Sequence, residues 1–432
     1  MIDWTLTHAD ASSAIVWVRS DTAETVSIVL PHGTFSTSVD PGVEDGTGSI
    51  TVTGLSGDVA GTINGEPITV KVAPASPVIA VASCVYATRD DWAYYLAQQG
   101  VNITVLAGDM PYADDSASTA FGITTVKCAF SIPNSASSEY AKHYLQYRRA
   151  PGTKRLLQSA LMYATWDDHE FVNNFDWSVS STNVYATLAN NAGEVRAFYD
   201  RAATAWKWYN DRGNQHPSSG LETDPPAIYS TARHGDVEIF ILDCISHRSA
   251  VTATDNASKY MIGPLQEAKL IADVTASTAP FKLIVSSKQP YTNASANADS
   301  WVPMGINTGY TTQRNRIIAA LAGVTGVVWA SGDDHSATVA KSGACLVVSG
   351  CPGATANQVS GQGAGYEPGV IWKGFGYSGS APATRDYYAT NIFRVIDGEL
   401  SLEVHDLTRR TIWWRMRMRQ DGTTYYPPTR AA

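Results

Sequence analysis

Charged residues are scarce in this chain of 432 residues, in which Lys, Arg, Asp and Glu together make up only 16%. No run of basic residues is present, and this argues against specific binding of nucleic acid. No apolar run approaches the length of a membrane span. No basic segment followed by an apolar stretch opens the chain as a signal peptide would. Because 44% of the residues are hydrophobic, the composition is that of a globular protein.

Cysteine is also scarce, and its number is odd: the five are Cys84, Cys128, Cys244, Cys345 and Cys351. An odd number leaves at least one thiol unpaired, unless a disulfide forms between chains. Cys345 and Cys351 are close enough in sequence to pair across a turn, but spacing alone does not establish the pair. The sequence makes no prediction of the oligomeric state.

The net charge of −9 is unevenly distributed along the chain. Residues 1–75 contain nine acidic and two basic residues, so that segment carries −7 and the remainder carries −2. The larger part is therefore nearly neutral although it contains clustered acids. Bound cations would make it electropositive, which suits an anionic substrate.

Short apolar segments predict an α/β (α+β) fold in three parts. Residues 1–75 alternate apolar and polar residues between Gly, Asp and Pro clusters, which is typical of a small β-sandwich of the fibronectin or immunoglobulin type. Residues 77–395 alternate apolar with helical segments, which predicts layered mixed sheets flanked by helices. Residues 396–432 are expected to add strands that pack on this second part.

Five predicted strands each stop at residue types that bind metal ions. These are Cys84, Asp109, the run Asp167 to His169, Asp243, and the pair Asp333 and His335. In an open α/β sheet, ligands bind beyond the carboxyl ends of the strands. We therefore expect these side chains to gather on one edge of a sheet and to form a metal site.

The segment from Gly108 to Tyr112 contains the first motif. Gly108 permits a sharp turn, and the carboxylate of Asp109 could bridge two cations. The phenolate of Tyr112 is a ligand that ferric iron favours. Taken alone, the motif is better explained as a polar turn.

Asp167, Asp168, His169 and Glu170 form the second motif. Such neighbouring groups would repel one another without a counter-charge, so metal binding or catalysis is the favoured interpretation. The alternative is a helix N-terminus, where acids are stabilised by the dipole. The amides of Asn173 and Asn174 follow closely and could add ligands or donors.

Two further motifs are weaker when taken alone. Asp333 and His335 point to the same side of an extended chain and could reach one ion or two adjacent ions. A buried cysteine such as Cys84 is usually a small hydrophobe, but beside a cation it would be a thiolate ligand.

Together these motifs resemble the PhoD-type alkaline phosphatases, a branch of the metallophosphoesterases. The family pattern is matched at Ser83-Cys84, Gly108-Asp109 with Tyr112, Asp167 to Glu170, and Gly332-Asp333 with His335. The N-terminal β-domain with its Ile-Val-Trp strand also looks like that of the family.

The resemblance implies a set of metal ligands. A ferric ion (Fe3+) would be held by Cys84, Asp109, Tyr112 and His335. Asp109 would also bridge to a second divalent cation held by Asp168 and Asp333. That cation is expected to be Ca2+, with Zn2+, Mn2+ or Mg2+ as alternatives.

The resemblance also implies catalytic and substrate-binding residues. His169, Asp168 and Arg248 are the predicted catalytic residues, and His169 would assist the transition state or the leaving group. The family's Leu-Asp-x-Arg-x-x-Arg segment keeps its second arginine at Arg248, but Ile245 stands in place of the first. Arg248, Lys288 and Asn173 are the candidates for holding the phosphate. For Arg248 and Lys288, an ordinary salt-bridged base is an equally good interpretation.

The implied function is hydrolysis of phosphate monoesters or diesters, small-molecule substrates, by a hydroxide that bridges the metal ions. An alternative keeps the site but directs it to phosphotriesters, lactones or other esters, with residues 351–383 as an apolar wall. A non-enzymatic protein with an inert metal domain is a third interpretation, which the full ligand set disfavours. By resemblance, we expect a periplasmic or secreted protein.

Overall fold

The structure is a computed structural model that describes twelve stretches of the chain. They are residues 2–114, 117–128, 136–177, 192–211, 221–290, 300–303, 307–333, 337–342, 345–349, 370–373, 389–407 and 410–426. All structural statements below refer to these residues. His335, Cys351 and most of residues 351–383 lie outside them.

The N-terminal part is a sandwich of two antiparallel sheets, one with strand order β1-β2-β5 and the other with order β4-β3-β6-β7. Alternate side chains of both sheets, such as Val16 and Ile28, are buried between them. The strands are β1 (Ile2–Ala9), β2 (Ser13–Ser20), β3 (Glu24–Leu30), β4 (Gly33–Val39), β5 (Thr47–Thr53), β6 (Val59–Ile63) and β7 (Glu66–Val70).

Sixteen further strands follow in the described residues. They are β8 (Val78–Ala82), β9 (Ile103–Ala107), β10 (Thr119–Ala120), β11 (Ile123–Thr124), β12 (Leu161–Thr165), β13 (Ser230–His234), β14 (Val237–Ile241), β15 (Phe281–Ser286), β16 (Val327–Ser331), β17 (Thr338–Ser342), β18 (Cys345–Ser349), β19 (Val370–Lys373), β20 (Ala389–Ile396), β21 (Glu399–Asp406), β22 (Thr411–Met418) and β23 (Thr424–Tyr425).

The described α-helices all lie in the second part of the chain. They are α1 (Asp91–Gln98), α2 (Ser137–Arg149), α3 (Pro151–Ser159), α4 (Ala192–Trp206), α5 (Pro264–Ala276) and α6 (Thr311–Ala320). A short 3-10 turn covers Asp168–Glu170, and a π-helical turn extends α4 over Lys207–Asp211. Within the described residues, none of the helices combines the length and the apolar character that a membrane crossing requires.

Two seven-stranded mixed sheets form the centre of the larger part. The first has the order β12-β9-β8-β20-β21-β22-β23, and the second has the order β13-β14-β15-β16-β18-β17-β19. Strands β12, β9 and β8 run parallel in the first sheet, and β14, β15, β16 and β18 run parallel in the second. The C-terminal strands β21–β23 belong to the first sheet.

The side chains of these strands divide the core into layers. Val105 and Val285 belong to one cluster that lies between the sheets and continues into the N-terminal sandwich. Leu106 packs on the other side, in a cluster with residues of α1–α4, and Ile284 packs in a cluster with residues of α5 and α6. Strands covered on both faces are apolar throughout. The prediction of layered sheets flanked by helices is confirmed.

The parallel strands of both sheets end on the same side of the molecule. The hydroxyl of Thr165, at the end of β12, donates to the carbonyl of Leu242, just beyond β14, at 2.7 Å. Gly332, just beyond β16, lies against the backbone of Ala107 at the end of β9. The carboxyl ends of two sheets therefore share one rim.

Candidate metal centre

Four carboxylates meet on this shared rim. Asp109 follows β9, Asp167 and Asp168 follow β12, and Asp333 follows β16. Each offers an oxygen atom, and these four oxygens all lie within 4.8 Å of one another. The sequence predicted Asp109, Asp168 and Asp333 as ligands. Asp167 joins them because it precedes Asp168 in the segment that follows β12.

Two glycines allow the strand ends to approach so closely. A Cβ atom on Gly108 would lie 2.4 Å from the Cβ of Asp167. A Cβ atom on Gly332 would lie 2.5 Å from the carbonyl oxygen of Ala107. Side chains at either position would push the strands of the site apart, so both Gly-Asp pairs are required by packing.

The backbone at three of the predicted ligands is left-handed. The φ angles of Cys84, Asp109 and Asp333 are 55°, 55° and 60°. Residues other than glycine rarely adopt this conformation, and it persists only where surrounding contacts enforce it. The turn after each of these strands therefore holds a predicted ligand in a conformation that only the surrounding contacts enforce.

Glu170 holds the two aspartate loops in place. Its Oε2 accepts from the backbone N–H groups of Asp109 (2.9 Å) and Asp167 (2.8 Å), and its Oε1 accepts from that of Met110 (2.8 Å). Burial nevertheless raises the pKa of Glu170 to about 7. The last acid of the second motif is thus a structural clamp, a role that the sequence did not predict.

A thiol and a phenol converge on one oxygen of Asp109. The Sγ atom of Cys84 donates to Oδ2 of Asp109 at 3.4 Å, and the hydroxyl of Tyr112 donates to the same oxygen at 3.3 Å. Burial, and then the neighbouring Asp109 charge, raises the pKa of the Cys84 thiol well above its usual value. Burial, and then Cys84, does the same to the pKa of Tyr112.

One buried acceptor atom of the site, Oδ1 of Asp109, has no hydrogen bond from the protein. Burial raises the pKa of Asp109 to about 7, although His169 opposes this shift. Buried carboxylate oxygens without donors are costly, and a hard cation is the usual partner for them. Carboxylate, thiol and phenol donors around Asp109 therefore fit a bound metal ion.

Lys288, which follows β15, projects its ammonium into the carboxylates. Its Nζ atom lies 2.9 Å from Oδ1 of Asp168 and 3.0 Å from Oδ1 of Asp333. It also lies 3.0 Å from Oδ1 of Asp167, an ion pair without hydrogen-bond alignment. Burial raises the pKa of Asp167 well above its usual value. Burial also raises that of Asp168, but Lys288 and His169 outweigh it and hold that pKa below the usual range.

His169 lies at the open side of the site and is held by Asp114. Its Nδ1 atom donates to Oδ1 of Asp114 at 2.7 Å, and the backbone N–H of Asn173 donates to Oδ2 at 2.6 Å. Burial lowers the pKa of His169, but the carboxylates of Asp109 and Asp114 outweigh it and raise that pKa well above its usual value. Asp114 lies two residues beyond Tyr112, and no separate sequence signal marks it.

The ring of Tyr112 is held between two other rings. The Tyr86 ring stacks on it with centroids 4.4 Å apart, and the His169 ring lies 4.3 Å from it on a tilt of 38°. This packing fixes Tyr112 relative to both Asp109 and His169.

Asp243, the remaining strand-end aspartate, has a different surrounding. Its Oδ1 accepts from the indole N–H of Trp166 (2.8 Å) and from the backbone N–H groups of Ile245 and Ser246 (both 2.9 Å). Its Oδ2 accepts from the backbone N–H of Ile228 at 3.0 Å. Both oxygens are therefore used in shaping the turn, and Asp243 is not part of the four-carboxylate group.

The predicted site residues fall into three groups in the structure. Cys84, Asp109, Tyr112, Asp168, Asp333, Lys288 and His169 lie together on the rim, with the backbone of Asn173 bound to Asp114. Arg248 follows the Asp243 turn and is buried, 2% exposed. Burial lowers the pKa of Lys259, and the nearby charge of Arg248 lowers it further. His335 lies outside the described residues, as does Cys351, which is close enough in sequence to Cys345 to pair with it across a turn.

Comparison with known proteins places these features in a family. The sequence model of the PhoD-like phosphatase family matches residues 79–348, which is more than half of the chain. Alkaline phosphatase D of Bacillus subtilis (strain 168) is 26% identical over 219 residues, which are 46% of this chain and 35% of that protein. The alignment thus spans about a third of the relative's length.

A solved structure of PhoD has the same fold. It superposes with a TM-score of 0.71 at 16% sequence identity, covering 99% of this chain and 92% of that one. At this identity the likeness concerns the fold. The family match covers the strands that carry Cys84, Asp109, Asp168, Lys288 and Asp333, and on that ground the chain belongs to the PhoD-like phosphatase family.

Proposed function

We propose that this protein is a metal-dependent phosphoric ester hydrolase. The observation that carries the proposal is the group of buried carboxylates around Asp109, with Cys84 and Tyr112 on one of its oxygens and no donor on the other. Family membership supports the same activity. The substrate class is phosphate monoesters, diesters or both.

Cys84, Asp109 and Tyr112 would hold the first ion, with His335 as the predicted fourth ligand. Thiolate, phenolate and carboxylate are a set that favours ferric iron. A bound cation would supply acidification of a water molecule and would offset charge on the phosphoryl oxygens. Burial keeps Cys84 and Tyr112 protonated without such an ion, since burial raises both pKa values. Metal binding would therefore release protons.

His169 would act as the proton donor to the departing oxygen. Its Nδ1 proton is committed to Asp114, so the Nε2 atom is the one that can face the substrate. Asp109 and Asp114 raise the pKa of His169 against the effect of burial, and this favours the protonated imidazole. Its side chain remains 21% exposed, and this gives access from solvent. A positioned acid of this kind contributes about 10²–10⁴-fold to the rate.

Arg248 and Asn173 remain the proposed phosphate-binding residues, with Asp168 beside His169 in the reacting region. The role of Arg248 is supported by its burial and by its position just after the Asp243 turn, where the family segment has its second arginine. An exported location is proposed on family habit alone. The alternative substrates, phosphotriesters and lactones, depended on residues 351–383, and most of these lie outside the described residues.

Elemental analysis combined with a substrate panel tests the proposal. Purified protein should contain iron and should hydrolyse a phosphate monoester or diester faster than a triester or a lactone. Iron bound by thiolate and phenolate should also give a visible charge-transfer band, and Tyr112→Phe should shift or remove that band. Protein that contains no metal and hydrolyses no phosphoester would contradict the proposal.

A further inference from the structure

Lys288 occupies the place that a second ion would need. Its ammonium lies 2.9 Å from Oδ1 of Asp168 and 3.0 Å from Oδ1 of Asp333. These are the two aspartates that were predicted to hold a second divalent cation together with Asp109. A third carboxylate oxygen, Oδ1 of Asp167, lies 3.0 Å from the same nitrogen. The ammonium thus donates hydrogen bonds to Asp168 and Asp333 and forms an ion pair with Asp167.

A divalent ion and this ammonium would compete for the same oxygens. Ca2+ takes six to eight oxygen ligands at roughly 2.3–2.6 Å, closer than the ammonium contacts. Two positive charges a few ångströms apart in a buried site repel strongly. The ion could bind with its full ligand set only if the Lys288 head left Asp168 and Asp333.

The structure gives the Lys288 side chain no easy way to leave. It is 0% exposed, so moving it away from the carboxylates would bury an uncompensated charge or require the site to open. Its backbone is also fixed, because the Ser286 hydroxyl donates to the Lys288 carbonyl at 2.7 Å. The same hydroxyl accepts from the Trp329 indole at 2.8 Å. The ammonium is thus anchored from the end of β15.

The region of Asp109 is different. Its Oδ1 atom is buried without a donor, and its Oδ2 atom is shared by the thiol of Cys84 and the phenol of Tyr112. These groups are the ones that a first ion would use, and Lys288 makes its contacts with the other three carboxylates. One side of the site is therefore open to a metal ion and the other side already holds a cation.

We propose that the Lys288 ammonium is itself the second cation of this site, so that the chain binds one metal ion where two were predicted. The inference rests on the proposed function, because it concerns which positive charges balance the carboxylates of the proposed metal site. Lys288 then supplies a fixed positive charge for the phosphoryl group and makes activity independent of added calcium. This role differs from the expectation that Lys288 binds the phosphate directly.

The variant Lys288→Met tests the proposal because it removes the charge and keeps the chain length. Lys282→Met is a matched control, since Lys282 is a buried lysine at the opposite end of β15, with its ammonium directed at the carbonyl of Thr325 (3.3 Å). Metal content would be measured by elemental analysis, and binding of calcium chloride by titration calorimetry. Circular dichroism and thermal unfolding would establish that each variant is folded.

We expect about one tightly bound ion per chain in the wild-type protein and in Lys282→Met, with weak calcium binding. Lys288→Met should bind calcium at least about tenfold more tightly, because the competing charge is gone. Its residual hydrolysis should depend on added calcium, whereas wild-type hydrolysis should survive treatment with EGTA.

Two results would overturn the inference and leave the proposed function intact. One is a phosphoester-hydrolysing wild-type protein with two or more tightly bound ions per chain. The other is a folded Lys288→Met that binds calcium no better than the wild type. If Lys288→Met fails to fold, the wild-type ion count and calcium titration still decide the matter. A wild-type protein with neither metal nor hydrolysis would overturn the proposed function and the inference together.

Discussion

Two regions of this protein bury charge, and they do so in opposite ways. At the rim of the two sheets, four carboxylates face one another and Asp109 keeps one oxygen without a donor. At the contact between the N-terminal sandwich and α2, Arg148 is buried, but its terminal nitrogens donate to the hydroxyl of Thr5 at 2.7 Å and to the side chain of Asn210 at 3.2 Å.

The contact at Arg148 is closed by aromatic and backbone groups. The guanidinium lies 4.3 Å above the centre of the Trp17 ring, and the Trp17 indole donates to the carbonyl of Trp208 at 2.9 Å. Burial lowers the pKa of Arg148 to about 10, so the group stays charged at neutral pH. A buried cation with neutral partners and an aromatic face is stable without any ligand.

The difference separates structure from function. Where the protein itself satisfies a buried charge, the group holds two parts of the fold together. Buried oxygens without donors and left-handed backbone both lower the stability of the fold. Where they occur together, they indicate a site that binds a ligand from outside the protein. Burial alone does not distinguish these cases, but the hydrogen-bond partners do.

The largest expected effect is that of Asp109→Asn at the rim. We expect the loss of bound metal and a fall in kcat/KM of about a thousandfold or more, since metal stabilisation of several kcal/mol is removed. Folding should be no worse, because a buried carboxylate with a raised pKa is replaced by a neutral amide. Metal analysis, kinetics and thermal unfolding check this.

Asp243→Asn is the matched control, because Asp243 also follows a strand but has donors on both oxygens. It should lower stability while folded protein keeps its metal. Full activity in Asp109→Asn would show that Asp109 is not a metal ligand.

Arg148→Met should have the next largest effect, and on stability alone. Losing the charge-assisted hydrogen bonds of Arg148, which include one to the Tyr209 carbonyl, and the contact with Trp17 should lower the free energy of unfolding by about 3 kcal/mol. The metal content of folded protein should not change. Urea unfolding measures the loss, and an unchanged midpoint would mean that this contact does not hold the sandwich in place.

We expect a smaller effect on stability, one that depends on pH, from His234, which lies at the junction of the sheets. Its Nε2 lies 2.9 Å from the hydroxyl of Tyr163, which lies 3.2 Å from Nδ1 of His8. Burial, and then His8, lowers the pKa of His234 to about 4. The unfolded chain therefore takes up a proton first as pH falls, and stability should drop by about 2 kcal/mol between pH 7 and pH 5.

His234→Gln should remove most of that pH dependence. Urea midpoints of both proteins at pH 7 and pH 5 make the comparison. Equal losses in the two proteins would assign the acid sensitivity to other groups.

The smallest expected effect is that of Asp114→Asn. Replacing the partner of His169 should lower kcat about tenfold. Because the Asp114 charge helps to raise the pKa of His169, its loss should move the alkaline decline of activity to lower pH. The pH profile is the decisive measurement, since a purely structural effect would lower the rate at every pH alike.

Sequence patterns gave the correct fold class because the apolar segments are clear. Strands such as Ile103–Ala107 are buried throughout and read as continuous apolar runs. The polar residues at the strand ends predicted the shared rim, and Gly108 before Asp109 predicted a sharp turn there. The roles of Asp114 and Glu170 were not predicted, because each depends on which backbone groups or side chains lie beside it in space.

Asp243 is the opposite case, a strand-end aspartate that the sequence placed with the metal-binding residues and the structure places elsewhere. In sequence it ends a strand just as Asp109 does, yet its oxygens bind Trp166 and the turn that follows.

The sequence by itself determined which residue types stand at the strand ends, since that is a matter of local order along the chain. Only the tertiary structure decided which of them share an ion, which close a turn, and that Lys288 enters the carboxylate group. The physical reason is that charge interactions and hydrogen bonds act over a few ångströms between residues far apart in sequence, so their partners are fixed only when the two sheets come together.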